Sequence, residues 1–251
     1  MSAKRKGKGK GKGKGKGKVV GARAAKPQRA EQSPVITGHN PFPIILSSPS
    51  GAGKTTIAKA LLETRPDVGY SISCTTRTPR PGEIEGKDYY FLSRTHFVRR
   101  IEQEAFAEYA EVHGNLYGTL TAEIQRVLGA GRHVMMDIDV QGAAHLRRAF
   151  SSVVTIFILP PSGEVMLDRL RKRKTESKEA IVRRLESALQ ELQAVEEYEY
   201  VVVNDVLEAS VRRVSAIIDA EVVSRERVAG LREQVATLIQ KLEEEIDTHS
   251  S

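Results

Sequence analysis

The sequence predicts an α/β fold: a parallel sheet covered by helices, with a small mixed β insert and a helical lid. Three observations predict it. After residue 40, short apolar runs of strand length alternate with helical patterns, and such alternation builds right-handed crossovers and hence a parallel sheet. The run over 153–159 (VVTIFIL) is apolar without a break, as a strand covered on both faces requires. Residues 70–120 depart from the alternation, being turn-rich and carrying Tyr89, Tyr90 and Phe91 in a row, which marks an insert beside the main sheet.

Each element has its own reason. Ile44, Ile45 and Leu46 form the first strand. A helix follows from Lys54 to about Arg65, with Ile57, Leu61 and Leu62 on one side, and Pro66 ends it. His133 to Met136 is a second strand, closing on Asp137. Pro160 and Pro161 stop the strand over 153–159, and Ser162 is placed to N-cap a helix running to about Lys172. Ile181, Leu185, Ala188, Leu189 and Leu192 recur at helical spacing, and 201–203 is a further strand. Near the end, Val228, Leu231, Val235, Leu238 and Leu242 recur at intervals of 3, 4, 3 and 4, a short heptad seam. Two readings of that seam stand: packing on its own domain, or pairing with a second copy as a homodimer.

Composition bounds the function. The 251 residues carry a net charge of +7, unevenly placed. Residues 1–40 hold 12 Lys and Arg against Glu31 alone, and the rest holds 27 basic against 31 acidic residues, so the basicity belongs to the tail and not to the fold. Residues 6–18 alternate lysine and glycine, a segment with nothing to bury that repels itself and is expected to be disordered. It reads as a solvated tail or as a salt-sensitive tether for nucleic acid or another polyanion. No apolar run approaches the ~18 residues of a membrane span. The single cysteine, Cys74, excludes an internal disulfide and a cysteine metal cluster and fits a reducing, cytoplasmic setting. The expected organisation is a tail over 1–40, a core domain over 41–224 with its insert near 70–120 and a lid near 162–195, and a helical extension over 225–251.

Between the first strand and the first helix lies Ser48-Pro49-Ser50-Gly51-Ala52-Gly53-Lys54-Thr55-Thr56. Apart from Ser48, which replaces glycine, it fits the phosphate-loop pattern G-x-x-x-x-G-K-[ST]. Gly51 and Gly53 let the backbone wrap so that N–H groups face phosphate oxygens. The helix N-terminus favours anions. Lys54 reaches the β- and γ-phosphates, and the Thr55 hydroxyl is a Mg²⁺ ligand. Asp137-Ile138-Asp139 ends an apolar strand, and carboxylates there face the crevice where such sheets bind ligands. Asp137 is a candidate to hold magnesium-bound water, and Asp139 to face a second substrate.

A second anion site is suggested by Arg77 and Arg80, three residues apart among hydroxyls in Ser73-Cys74-Thr75-Thr76-Arg77-Thr78-Pro79-Arg80, because arginine forks suit a phosphate monoester. Arg169, Arg171, Lys172, Arg173 and Lys174, then Arg183 and Arg184, make a basic cluster suited to a mobile lid beside a triphosphate. One site for a triphosphate and another for a phosphate acceptor is the layout of phosphoryl transfer between nucleotides. That chemistry needs positioning and charge neutralisation more than a nucleophilic side chain.

Over roughly 70% of its length the chain resembles the guanylate kinase family. The resemblance rests on the phosphate loop together with the segment from Ser73 to Glu83, Gly86-Lys87-Asp88-Tyr89-Tyr90-Phe91, Gly114-Asn115-Leu116-Tyr117-Gly118-Thr119, Asp137-Ile138-Asp139-Val140-Gln141-Gly142 and Val203-Asn204-Asp205. It implies transfer of the ATP γ-phosphoryl group to GMP, and by extension dGMP, with Mg²⁺, in purine nucleotide metabolism. By matching position it implies that Ser50, Gly51, Ala52, Gly53, Lys54, Thr55 and Thr56 bind ATP and that Asn204 lies near adenine. It places Arg77, Arg80, Tyr89 and Tyr117 on the GMP phosphate, and Ser73, Glu108, Thr119 and Asp139 around guanine. Arg173 and Arg184 would approach the ATP phosphates from the lid, forming the catalytic set with Lys54 and Arg77. Cys74 stands where the family often has serine, and Lys174 where its lid commonly has glycine. Three rivals remain at this level: a non-catalytic binding module of the same fold, a kinase for a sugar phosphate, and a protein whose tail, bound to nucleic acid, is its main function.

Overall fold

The apolar segments form strands that pair across long crossovers and not in chain order, in a computed structural model that describes residues 38–112, 114–150, 152–171 and 178–250. The chain runs β1 (Pro43–Ser47), α1 (Lys54–Thr64) and β2 (Val68–Tyr70) into the insert. The insert holds β3 (Cys74–Thr75), β4 (Tyr90–Phe91), α2 (Arg94–Glu102), β5 (Phe106–Val112) and β6 (Asn115–Leu120). Then come α3 (Thr121–Gly129), β7 (His133–Asp137), α4 (Val140–Ala149), β8 (Val154–Leu159), α5 (Gly163–Arg171), α6 (Lys178–Gln193), β9 (Tyr200–Val203), α7 (Leu207–Val222) and α8 (Leu231–Ser250).

The main sheet has the order β2-β7-β1-β8-β9 with every neighbour parallel. β1 sits in its middle, with Ile44 opposite Met135 on one side and Val154 on the other, which is why all five of its residues are buried. Side chains alternate across a strand, so the core divides in two. Ile44 and Leu46 pack with Ile57 and Leu61 of α1 and Val214 and Ile218 of α7. Ile45 packs the other way, with Ile124 and Val127 of α3 and Leu146 of α4. Because all five strands run the same way, Ser47, Asp137, Leu159 and Val203 end on one side of the sheet and open the crevice that holds the site.

The insert is a four-stranded mixed sheet, β4-β3-β6-β5, closed by its own core of Cys74, Phe97, Leu116 and Leu120. Gly118 is required there: a Cβ would lie 2.9 Å from Phe106 and 3.0 Å from Phe97. In the lid region, the Ser162 hydroxyl accepts from the Val165 N–H at 3.3 Å, the capping role its sequence position predicts.

Two details differ from expectation. Gly38 and Asn40, within the stretch expected as tail, pair with the fold: Asn40 N–H donates to the Arg227 carbonyl, and Ala229 N–H to that of Gly38. Val228 is thereby held in an isolated bridge with His39, and the last helix starts at Leu231, after Gly230 at φ 65°. None of the residues of that helix is buried, and Leu231 and Gln234 are partly buried. The tail up to residue 37, and Arg173 and Lys174, lie outside the described residues.

Candidate active site

The loop between β1 and α1 has the shape its glycines dictate. Gly51 and Gly53 adopt φ of 88° and 93°, and Gly53 is the N-cap of α1. Its Asn204 neighbour lies so close that a Cβ on Gly53 would overlap the amide. Asn204, buried at the end of β9, donates from Nδ2 to the Ala52 carbonyl at 2.7 Å. Arg169 of α5 donates to the Gly51 and Ala52 carbonyls at 3.2 and 3.3 Å. Two of the loop's own N–H groups are engaged as well, Ser50 donating to Glu191 Oε2 at 2.9 Å and Ala52 to the Pro49 carbonyl at 3.1 Å.

Lys54 points to the strand end. Its ammonium lies 2.7 Å from Asp137 Oδ1 and donates to the Ile138 carbonyl at 2.8 Å. Burial pushes its pKa down, and the charge and hydrogen bond of Asp137 more than reverse that, leaving Lys54 above its ordinary value and charged. Thr55 Oγ1 donates to Asp137 Oδ2 at 2.8 Å. A hydroxyl and a carboxylate thus stand side by side at the start of α1, hard oxygen donors of the kind Mg²⁺ takes beside phosphates. Among the described residues there is no cluster of three His, Cys, Asp or Glu side chains that could hold a metal by itself.

Two cavities meet at this point. The larger, about 780 Å³, lies over the phosphate loop between Arg169, Glu191 and Leu207. The smaller, about 210 Å³, lies between the sheet end and the insert, lined by Ser73, Tyr89, Glu108, Tyr117, Asp137 and Asp139 among others. Lys54 and Thr55 line both.

The smaller cavity is built to read a polar edge. Glu108 of β5 is 6% exposed and accepts from Thr119 Oγ1, its cross-strand neighbour, at 2.5 Å. Burial raises its carboxyl to about 7, with the nearby charge of Asp139 adding and the Thr119 hydrogen bond opposing. Gly142 makes room for it, since a Cβ there would stand 2.5 Å from Glu108 Oε2. Asp139 caps α4, accepting from the Gln141 and Gly142 N–H groups at 2.8 and 3.1 Å, so its position is fixed by the helix. Tyr89 and Tyr117 meet edge to face, 6.2 Å between ring centroids, and burial lifts the Tyr89 phenol to about 12, so it is protonated and able to donate.

The residues singled out by sequence do not all stand in the cavities. Ser50, Gly51, Gly53, Lys54, Thr55 and Thr56 line the larger one, whereas Ala52 is fully buried and takes part through its carbonyl. Arg184 reaches the loop, donating from Nη2 to Ser50 Oγ at 3.2 Å and from Nη1 to the Leu170 carbonyl at 3.2 Å. Arg77 lies behind the smaller cavity: both terminal nitrogens are held by Glu83 at 2.9 Å, and its guanidinium is 5.3 Å from the Tyr89 ring centroid. That pairing holds Arg77 above and Glu83 below their ordinary values. Arg80 is exposed, and its backbone meets Glu83 twice, the N–H donating to Oε2 at 2.7 Å and the carbonyl accepting from the Glu83 N–H at 3.0 Å. Neither arginine is among the residues that line the smaller cavity. Two residues at the loop were not singled out as individual site residues. Arg169 was legible only as one of a basic cluster. Glu191 of α6, which accepts from the Ser50 N–H at 2.9 Å, had no signal, being one acid among several on a polar helix face.

Comparison with known proteins agrees with this geometry. Residues 40–221 match the family model described as guanylate kinase. The chain is 48% identical over 178 residues to a guanylate kinase of Caldanaerobacter subterraneus subsp. tengcongensis, covering 71% of this chain and 86% of that one. It is 44% identical over 211 residues to a guanylate kinase of Rhizobium meliloti, covering 84% and 96%. Among solved structures it is similar to a guanylate kinase from Anaplasma phagocytophilum, with a TM-score of 0.68, 36% identity, and coverage of 81% of this chain and 97% of that one.

Proposed function

The chain belongs to the guanylate kinase family, and from that membership we propose how its own residues carry the reaction. It is an enzyme that transfers the γ-phosphoryl group of ATP to GMP, giving ADP and GDP. The observation that supports the residue assignment is the junction of the two cavities at Lys54 and Thr55; in this reading a donor's terminal phosphate and an acceptor's phosphate lie on either side of one ammonium group.

In this reading the larger cavity takes ATP, its polyphosphate on the loop N–H groups and its base toward Asn204 and Leu207. The smaller takes GMP. Guanine presents N1–H and N2–H₂ donors, which suit the Glu108 carboxylate, and an O6 acceptor, which suits the Ser73 hydroxyl; adenine offers no such donors. A buried acceptor left unpaired against the wrong base discriminates by about 10⁴ or more. Tyr89 and Tyr117 donate to the acceptor phosphate, and Arg77 and Arg80 reach it when the insert swings toward the loop. Lid closure, with Arg173 and Arg184, then excludes water that would hydrolyse ATP. Lys54 neutralises charge on the group in flight. The GMP phosphate oxygen is already ionised near neutral pH, so no strong general base is required.

Thr55 and Asp137 would hold Mg²⁺, Asp137 through water, and the ion would supply further neutralisation of the phosphate charge. We extend the acceptor to dGMP, which presents the same base edge, and the setting to the cytoplasm, where both substrates are supplied. No helix among the described residues is long and apolar enough to cross a membrane. The Lys-Gly tail is read as a polyanion contact: removing residues 1–37 should abolish retention on immobilised DNA at low salt and leave turnover unchanged.

The test of the assignment is Lys54→Ala. GDP formation should fall by at least ~10²-fold while GMP binding, followed by calorimetry, persists. Undiminished kcat would reject the role given to Lys54.

A further inference from the structure

The last helix carries an apolar stripe that stays exposed among the described residues. Val235, Leu238, Ile239, Leu242 and Ile246 of α8 are between 42 and 64% exposed, and Leu231 continues the stripe toward the body of the protein. At about 100° per residue all six fall within an arc of about 100°, the width of a packed helix face. Soluble monomers seldom expose a continuous apolar patch beyond a few hundred Å². The Lys-Gly run over 6–18 brings no apolar side chains that would fill it.

The stripe is its own complement. About a point between Leu238 and Ile239 the apolar positions are symmetric: Leu231 mirrors Ile246, Val235 mirrors Leu242, and Leu238 mirrors Ile239. A two-fold interface needs such symmetry, because each residue on one copy must meet its mirror on the other. Charge selects the same direction. Acids crowd the C-terminal half (Glu243, Glu244, Glu245, Asp247). Parallel pairing would set these against themselves, whereas antiparallel pairing moves each Glu245 roughly 20 Å along the axis from its copy at 1.5 Å per residue. It also brings Arg232 within a turn of Glu243 on the same flank of the second copy.

We propose that α8 pairs antiparallel with α8 of a second copy of this chain, making the protein a two-fold dimer joined outside its catalytic crevice. The face covered is on the order of 1,000 Å² over both copies, the lower bound of a specific interface. None of the six stripe residues lines either cavity of the active site.

The test uses the full chain and two sets of variants. Light scattering across a dilution series should give twice the chain mass for the natural sequence, and the chain mass for L238E/L242E with kcat for GDP formation unchanged. Under mild oxidation L231C/I246C should cross-link two copies, while L231C alone should not. The two introduced thiols are too far apart on one helix to join within a chain, and Cys74 is buried. A natural chain that is monomeric throughout, an L238E/L242E chain that stays dimeric, or L231C that cross-links by itself would each overturn the proposal, the last in favour of parallel pairing.

Discussion

Glu108 lies almost wholly out of water, and its carboxyl near 7 sets two opposite pH dependences. With guanine read by Glu108 as proposed, recognition needs the ionised form, so KM for GMP should fall as pH rises from 6 to 8, and in Glu108→Gln it should be raised about 10- to 100-fold, as expected for a lost charge-assisted hydrogen bond, with that pH dependence removed. Stability runs the other way. The folded carboxyl is raised above its unfolded value of 4.5, so the folded state holds a proton the unfolded chain has released between 4.5 and about 7. Stability is therefore lost as pH rises through that window, and Glu108→Gln should melt higher than the natural chain at pH 8. A variant that melts lower there, with an unchanged KM profile, would remove Glu108 from the guanine site. Sequence pattern alone could not distinguish this acid from any other in Glu104-Ala105-Phe106-Ala107-Glu108; its cross-strand pairing with Thr119 and the gap left by Gly142 are what bury it.

At the scale of elements, the strand-loop-helix unit was legible because its chemistry is local. The glycines, the lysine and the Thr hydroxyl lie within a few residues, and the positive φ at Gly51 and Gly53 is what such a loop demands. Gly53→Ala should cost about 1–3 kcal/mol in urea unfolding and most of the turnover, because a Cβ is strained at φ 93° and would displace Asn204 from the loop it holds. Undiminished stability and activity would show that the loop does not depend on this glycine. What was not legible is non-local. Glu191 reaches the loop from α6, 141 residues away, and Asn204, read only from the family resemblance, reaches it from just after β9, 152 residues away; no spacing rule connects either to the loop. β2, three residues with a central glycine, is too short to show a period, and the halt at Gly230 that delays the last helix depends on the bridge between His39 and Val228.

The whole molecule couples its sheet to its stability through His133. This first residue of β7 is buried against Phe42 and His39, and Nδ1 accepts from the Phe42 N–H at 3.3 Å, so the ring is neutral. Burial, with the charge of His39, lowers its pKa from 6.5 to about 4. The unfolded chain binds a proton between those values that the folded chain does not, so this contribution to stability is lost as pH falls from 6.5 toward 4. His133→Asn should flatten the fall of Tm over that range; an unchanged slope would place the acid sensitivity elsewhere. The parallel order of the five strands, readable from the alternation of elements, is what gathers Ser47, Asp137 and Val203 at one end and makes two cavities share Lys54. The most direct measurement is steady-state phosphoryl transfer from ATP with Mg²⁺ to GMP, AMP, CMP and UMP in turn. The account predicts GDP formation with kcat/KM at least ~10⁴-fold above that for AMP. Comparable rates with AMP, or no transfer to GMP, would contradict it.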